Sequence, residues 1–202
     1  MNAPTTTFPI AAALLIATMN SPAAEKLVFD FQSPTAITSW ETVNDDVMGG
    51  VSQSNFRFTN GLAVFTGNVS LDNNGGFASV RSLPANHDLD PCDSLLIRVR
   101  GDGQRYKFTV RRDRSFDSPI YQAAFQTKKG EWHEHRLALA DYVPTFRGRV
   151  LTGEPPLEPA RIASMGFLIS DKQAGPFRLE IAWIKAVKSQ SNAGASASGS
   201  LR

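Results

Sequence analysis

The sequence predicts an all-β protein of a single domain, and three observations predict it. Short segments alternate apolar and polar residues, and glycine, proline, asparagine and aspartate separate them at intervals of about 8–12 residues. No long stretch shows the periodicity of an amphipathic helix. The chain of 202 residues is 42% hydrophobic and 20% charged, which is ordinary for a globular protein that buries its own core. These features favour a β-sandwich or barrel.

The predicted strands are rich in β-branched and aromatic residues and end at turn residues. They cover residues 26–31, 56–58, 62–65, 95–100, 106–111, 120–126, 132–139, 162–169 and 177–187.

The connections between these strands carry turn residues. The composition of residues 101–104 predicts a hairpin between its flanking strands, and residues 127–131 predict another. Residues 44–50 and 141–158 form two longer loops, and Pro144, Pro155, Pro156 and the adjoining Pro159 argue against a regular element in the second. A helical turn is expected where that loop begins, at residues 139–142.

Both ends of the chain are expected to lie outside the folded domain, which we place at residues 25–188. Residues 8–19 form an apolar run that is too short to span a bilayer and has the length of a signal-peptide core. Small residues follow it, although no Lys or Arg precedes it. We therefore expect residues 1–24 to be a cleaved export signal or a disordered leader. Residues 189–202 are rich in Ser, Ala, Gly and Asn, which predicts a disordered tail.

The charge balance and the single cysteine exclude several classes of function. The chain has 21 basic and 19 acidic residues, a net charge of +2, which gives no argument for nucleic-acid binding. Cys92 has no partner for an intramolecular disulfide, and it stands between Asp90 and Asp93, whose charges disfavour a reactive thiolate. No segment after the leader is long and apolar enough to predict a membrane span.

The sequence contains no familiar catalytic or nucleotide-binding motif. His133 and His135 share one face of a predicted strand, but no third metal ligand is suitably spaced, so we expect an exposed polar face. Asp45 and Asp46 are adjacent, whereas paired catalytic carboxylates need a defined separation.

A calcium ion held by loop oxygens fits these aspartates better than catalysis does, with Asp30 and Glu180 as further candidate ligands. We predict no bound metal and no cofactor.

Three loops have compositions that are more specific than spacers require. Residues 44–52 combine Met48 with two glycines that permit positive φ or close approach, residues 73–81 contain a second pair of glycines, and residues 146–149 place arginines beside Phe146. Arginine next to an aromatic residue is typical of interface anchors. The alternatives are turn geometry for the glycines and structural ion pairs of the arginines with Asp45, Asp46 or Asp171.

These loops also carry a family resemblance. In order, the segments NDDVMGGVS (44–52), GGFASVR (75–81), GDGQRY (101–106), EWHEHRL (131–137), VPTFRGRVL (143–151) and MGFLISDKQAGPFRLEIAWIKAV (165–187) resemble the complex I intermediate-associated protein 30 family. The resemblance covers residues 27–187.

The resemblance implies a galactose-binding-domain-like jelly-roll β-sandwich that acts as a non-catalytic scaffold, assembly factor or chaperone. Its implied partner is a protein, such as subunits of a membrane complex. The motif positions form the candidate binding surface: Asp45, Met48, Gly49, Gly50, Ser52, Gly75, Gly76, Phe77, Arg81, Arg147, Gly148, Arg149, Lys172, Gly175 and Phe177. The scaffold hypothesis predicts that the three loops meet on one face, with Met48, Phe77 and Phe146 partly exposed.

The location and two other functions stay open at this point. The leader lacks the arginines of a mitochondrial presequence, so export to the periplasm or outside the cell is favoured over the cytoplasm. A carbohydrate-binding module would need an exposed aromatic platform, and we expect Trp40 and Trp183 in the core, which leaves Trp132 or a tyrosine. A hydrolase would use Asp45 or Asp46 near His133 or His135.

Overall fold

The computed structural model describes residues 25–32, 34–115 and 117–189 and shows two antiparallel β-sheets packed face to face. The predicted leader at residues 1–24 lies outside the described residues, and so does the predicted tail after Ser189. The all-β sandwich predicted from the alternating segments is confirmed.

The described chain forms thirteen strands, which are numbered in chain order. They are β1 (Glu25–Asp30), β2 (Trp40–Asn44), β3 (Gln53–Thr59), β4 (Leu62–Val69), β5 (Ala78–Ser82), β6 (Ser94–Arg100), β7 (Arg105–Arg111), β8 (Ile120–Gln126), β9 (Trp132–Ala138), β10 (Val143–Phe146), β11 (Arg149–Val150), β12 (Ser164–Ile169) and β13 (Gly175–Val187).

One sheet has the order β3-β4-β13-β6-β9, and β1 pairs with the second half of β13 beyond the end of β4. The other sheet has the order β11-β10-β8-β7-β12-β5-β2. The inward side chains of both sheets form one core, in which Phe31, Phe65, Phe108, Phe167 and Leu179 are fully buried. β5, β7 and β8 bury alternate residues, which is the pattern that the sequence showed, whereas β12 is buried almost throughout.

The two hairpins predicted at residues 101–104 and 127–131 are wrong. β6 and β9 belong to the first sheet, whereas β7 and β8 belong to the second, so both connections cross from one sheet to the other. True hairpins join β3 to β4 and β7 to β8. The first turns at Asn60 and Gly61, whose φ values of 52° and 77° are those of a type I′ turn. A hairpin and a crossing loop both need turn residues, and composition does not separate them.

The proline-rich region from 141 to 158 was expected to be irregular throughout, but part of it forms strands. Pro144 lies in β10, between β8 and the two-residue strand β11, and its carbonyl oxygen accepts a hydrogen bond from the Leu151 amide at 2.9 Å. The helical turn predicted at the start of this region is present at Leu139–Asp141.

Two expectations about side chains need correction. Trp40 is in the core as expected, but Trp183 lies on the outer face of the first sheet, with the Lys185 ammonium 4.6 Å from its ring centroid. A bulge in β13 next to this residue shifts its register against β6. His133 and His135 do share a face, but that face points inward, because the His135 ring packs 5.0 Å from the ring of Phe125.

Candidate functional site

Five loops that cross between the sheets lie side by side at one end of the sandwich. They connect β2 to β3, β4 to β5, β12 to β13, β6 to β7 and β8 to β9. Because these strands have the same order in both sheets, the loops follow one another in that order. They comprise residues 45–52, 70–77, 170–174, 101–104 and 127–131. We call this surface the five-loop end.

A buried aspartate joins the first two loops. Asp45 has no exposed surface, and its carboxylate accepts hydrogen bonds from the Ser52 amide at 2.9 Å and the Ser52 hydroxyl at 2.5 Å. The same carboxylate accepts the amides of Gly76 at 2.7 Å and Phe77 at 3.2 Å. A carboxylate is needed here because every group that points at it is a donor.

These donors also set the charge state of Asp45. Burial by itself raises the pKa of this carboxyl, but the Ser52 hydroxyl and the amides of Gly76, Ser52 and Phe77 outweigh it, so the pKa lies below its ordinary value. Asp45 is therefore ionised at neutral pH and fully occupied by internal hydrogen bonds. Four hydrogen bonds already engage this carboxylate, which disfavours a role as a general base or as a cation ligand.

The glycines of the first two loops are required by the same carboxylate. A Cβ at Gly50 would lie 2.4 Å from the Asp45 carboxyl group, and one at Gly75 would lie 2.6 Å from Asp45 Oδ2. Gly49 and Gly76 instead have φ values of 89° and 132°, which other residues rarely adopt. The double glycines thus serve the packing and turn geometry of this end.

A second aspartate organises the fourth loop. The hydroxyl group of buried Tyr106 lies 3.1 Å from both carboxylate oxygens of Asp102 and donates a hydrogen bond to them. Asp102 Oδ2 also accepts a hydrogen bond from the Arg178 amide at 2.7 Å. Gly101 lies against Thr127 so closely that a Cβ would be 2.4 Å from the threonine hydroxyl oxygen. The fourth loop is therefore tied to both β13 and the fifth loop.

The third loop is held to the start of β7. Gln173 accepts the Arg105 amide at 2.9 Å and donates to the Arg105 carbonyl at 2.7 Å, and Asp171 pairs with Arg105 at 2.7 Å and Lys107 at 2.6 Å. Burial raises the pKa of Asp171, but Lys107 and Arg105 outweigh it and the pKa is lowered. All five loops are thus fixed by polar contacts, which are buried at Asp45 and exposed at Asp171.

Several large apolar side chains remain exposed on the first two loops. The exposed fractions are 68% for Val47, 59% for Met48, 49% for Val51 and 44% for Leu71. A fixed backbone that presents apolar side chains to solvent is unusual for a spacer and typical of a contact surface.

Most of the predicted site residues lie at the five-loop end, either exposed or as its buried supports. These residues are Asp45, Met48, Gly49, Gly50, Ser52, Gly75, Gly76, Phe77, Lys172 and Gly175. Phe177 lies beneath them in the core, and Arg81 lies further along β5, where its guanidinium pairs with Glu41 at 2.8 Å.

The third predicted loop does not meet the other two, contrary to the scaffold hypothesis. Thr145 pairs with Ile120, whereas the other end of β8 leads into the five-loop end, so Arg147, Gly148 and Arg149 lie at the opposite end of the sandwich. Arg147 and Gly148, with φ values of 48° and 78°, form the turn between β10 and β11. Arg147 pairs with Asp117 at 3.2 Å. The alternative to an interface role was a structural ion pair of Arg81, Arg147 or Arg149 with Asp45, Asp46 or Asp171. Arg81 and Arg147 do form ion pairs, but with Glu41 and Asp117.

The other candidate metal and catalytic groups are occupied or separated. Glu180 forms ion pairs with Arg100 and Arg178, and His133 contacts Glu131 at 3.1 Å. Within the described residues no three His, Cys, Asp or Glu side chains come close enough to hold a metal ion. A cavity of about 390 Å³ at the edge of β8 is lined by Lys107, Gln122, Arg136 and Asp141 among others, and neither His133 nor His135 lines it.

An aromatic platform of a carbohydrate-binding module would have to use Trp132 and Trp183, which lie on the outer face of the first sheet with cations over their rings. Tyr106, Tyr121 and Tyr142 are all buried. Trp132 is half-exposed on the outer face of the first sheet, but the guanidinium groups of Arg98 and Arg100 lie 5.6 and 5.0 Å from its ring centroid.

Sequence reasoning did not single out Val51, Leu71 or the lysines of the fifth loop as parts of this surface. Their positions follow from the matching strand order of the two sheets, and that order cannot be deduced from local composition. The signal that was present is that five of the six family segments flank or span sheet-crossing connections.

Solved structures with the same fold include carbohydrate-binding modules. The family 11 carbohydrate-binding module of a cellulosomal cellulase of Clostridium thermocellum matches with a TM-score of 0.66 and 12% identity, over 86% of this chain and 100% of that one. An agarase matches with a TM-score of 0.56 and 12% identity, over 83% of this chain and 25% of that one. At this identity the likeness supports the fold alone, and that fold agrees with the predicted galactose-binding-domain-like jelly roll.

Curated relatives share more sequence. The complex I intermediate-associated protein 30, mitochondrial, of Mus musculus is 27% identical in an alignment 180 residues long that covers 79% of this chain and 55% of the mouse protein. The Drosophila melanogaster protein of the same name is 25% identical, over 81% of this chain and 63% of the fly protein. The chain therefore spans about half to two thirds of the length of these relatives.

The expectation of export is wrong, because these relatives are described as mitochondrial, which does not fit a periplasmic or secreted protein. That expectation rested on the apolar run at residues 8–19, which lacks the basic residues that normally precede a signal-peptide core. None of the described helices is long and apolar enough to cross a membrane. The family model for complex I intermediate-associated protein 30 matches residues 29–181, and the chain belongs to that family.

Proposed function

We propose that this chain is a non-catalytic protein-binding module that acts as an assembly factor, and that its partner contacts the five-loop end. The observation that carries the proposal is the exposure of Val47, Met48 and Val51 on a loop that Asp45 holds in place. Apolar side chains on a fixed backbone lose little conformational freedom on binding, so more of their burial energy contributes to affinity.

The family supports the assembly role. Its curated members are described as associated with an intermediate of complex I, so subunits of that membrane complex are the partners we propose. The chemistry of the site agrees, because the carboxylates of Asp45 and Asp102 accept hydrogen bonds that hold the loops in place. A polar-rimmed surface with a few exposed apolar anchors is suited to contact another protein.

The test compares capture of complex I subunits by the full chain and by a variant that carries Val47→Ser and Met48→Ser. We expect the variant to lose most of the captured subunits while its Tm stays within about 2 °C, because both side chains are exposed. The matched control carries Leu83→Ser and Val150→Ser, which remove exposed apolar groups at the opposite end. The proposal would be contradicted if the control variant failed to capture complex I subunits, or if the Val47→Ser, Met48→Ser variant still captured them.

A further inference from the structure

Charge divides the five-loop end into two halves. The first two loops carry exposed Asp46 and Asp72 beside their apolar side chains. The third and fifth loops carry exposed Lys172, Lys128 and Lys129. Because the loops are ordered side by side, an apolar and acidic half adjoins a basic half.

The lysines of the basic half are little neutralised by the protein itself. Within the described part of the chain, neither Lys129 nor Lys172 forms an ion pair, and Lys128 reaches only Glu131, at 3.9 Å and with both side chains exposed. Asp171, the nearest acid in sequence to Lys172, is already engaged by Arg105 and Lys107. The lysine charges are therefore available to a partner.

Lys172 is also held in an uncommon backbone conformation. Its φ is 60° and that of Asp171 is 62°, and a lysine adopts the left-handed region only where its surroundings fix it. The hydrogen bonds of Gln173 to Ser170 and Arg105 supply that constraint on the next residue. The lysine thus projects from a fixed turn between the apolar and the basic loops.

We propose that the five-loop end binds an extended segment of a partner protein that has an apolar side chain at one end and Asp or Glu at the other. This inference rests on the proposed function and names the chemistry of the partner. Five loops spaced like the strands they join, at about 4.8 Å, extend over roughly 19 Å. An extended chain covers that distance with about six residues. The apolar residue contacts Met48 and its neighbours, and the carboxylates face Lys172, Lys128 and Lys129.

The acidic residues of the first half favour a protein segment over an anionic membrane. A membrane surface that met the basic loops would also meet Asp46 and Asp72, which its headgroups repel. A partner with separate apolar and acidic ends avoids that repulsion. Opposite charges across such a contact mainly raise the rate of association and fix the direction of the bound segment.

The probe is a displayed library of random 12-residue peptides, selected on the full chain at low salt. We expect the selected peptides to combine an apolar residue with two or more Asp or Glu a few positions away. Synthetic copies should bind about tenfold or more weakly to a variant that carries Lys128→Glu, Lys129→Glu and Lys172→Glu, and more weakly at high salt. A control with Arg114→Glu, Arg161→Glu and Lys188→Glu, all exposed at the opposite end, should bind them unchanged.

The outcomes separate this inference from the proposed function. Selected peptides that require Met48 but lack acidic residues, and that bind the triple-lysine variant equally well, overturn the inference alone. Failure to select peptides that depend on Val47 and Met48 also overturns the inference, and it contradicts the proposed function only if capture of complex I subunits does not depend on Val47 and Met48 either. The chain could instead bind vesicles of anionic phospholipid, or associate with itself, through the three lysines. The inference is overturned if either of these interactions is lost in the triple-lysine variant while peptide binding is retained.

Discussion

Single residues fix the five-loop end, and Asp45 is the clearest example. One carboxylate gathers the Ser52 hydroxyl and the amides of Ser52, Gly76 and Phe77, so two loops far apart in sequence share one acceptor. An asparagine has nearly the same shape, but its side-chain NH₂ group is a donor and would face the backbone and hydroxyl donors that now bind the carboxylate. Gly50 and Gly75 leave the space that the carboxylate fills.

We predict that Asp45→Asn lowers the free energy of unfolding by about 2–4 kcal/mol at pH 7, because buried donors lose a charged acceptor. The lowered pKa of Asp45 means that its contribution is present above the unfolded-state pKa of about 3.9 and is lost as pH falls through the lower folded-state pKa. Urea denaturation at pH 7, 5 and 3 should therefore show the difference between the two proteins shrinking at the lowest pH.

The control for this prediction is Asp46→Asn, since Asp46 is adjacent and exposed. It should change the free energy of unfolding by about 0.5 kcal/mol or less. Equal effects of the two substitutions, or a difference that grows as the pH falls, would contradict the role assigned to Asp45.

At the scale of elements, sequence patterns located the strands better than they located their partners. The segment 120–126 was predicted with the bounds of β8, because alternation and flanking turn residues are local signals. The prediction that β8 pairs with β9 across residues 127–131 was wrong, because pairing depends on which sheet the next strand joins. β2 and β5 were missed since their residues stand in segments that glycines and a long loop dominate.

The candidate site was predictable to a similar extent. The double glycines and Asp45 stand out in the sequence, and they lie together in the structure. The placement of Arg147 with them failed because Phe146, Arg147, Gly148 and Arg149 form a local turn at the far end of β8, which composition alone does not reveal.

The sheet-crossing loops should be energetically coupled to the strands they join, and Asp102 in the fourth loop with Tyr106 in β7 tests this. We predict that Asp102→Ala and Tyr106→Phe each destabilise the protein, and that the double variant loses less than the sum by about 1 kcal/mol, because both remove the hydrogen bond between the Tyr106 hydroxyl and the Asp102 carboxylate. Urea denaturation of the four proteins measures the coupling. Additivity within about 0.3 kcal/mol would show that the contact contributes nothing of its own.

At the scale of the whole molecule, the two ends of the sandwich differ in construction. The five-loop end consists of short crossing loops fixed by Asp45, Asp102, Asp171 and Gln173, and it presents apolar groups beside lysines. The opposite end carries the turn with Arg147 and the proline-rich loop. A rigid, chemically distinct surface of this kind is what the proposed scaffold function needs.

The most direct test is photo-cross-linking in cells of the source organism, with a photoreactive amino acid placed at Met48 in one chain and at Val150 in another. Both positions are exposed, and they lie at opposite ends of the sandwich. We expect the chain labelled at Met48 to form adducts with complex I subunits, and the chain labelled at Val150 to form none. Adducts with those subunits only from Val150, or none from Met48, would contradict the claim that the five-loop end is the binding surface.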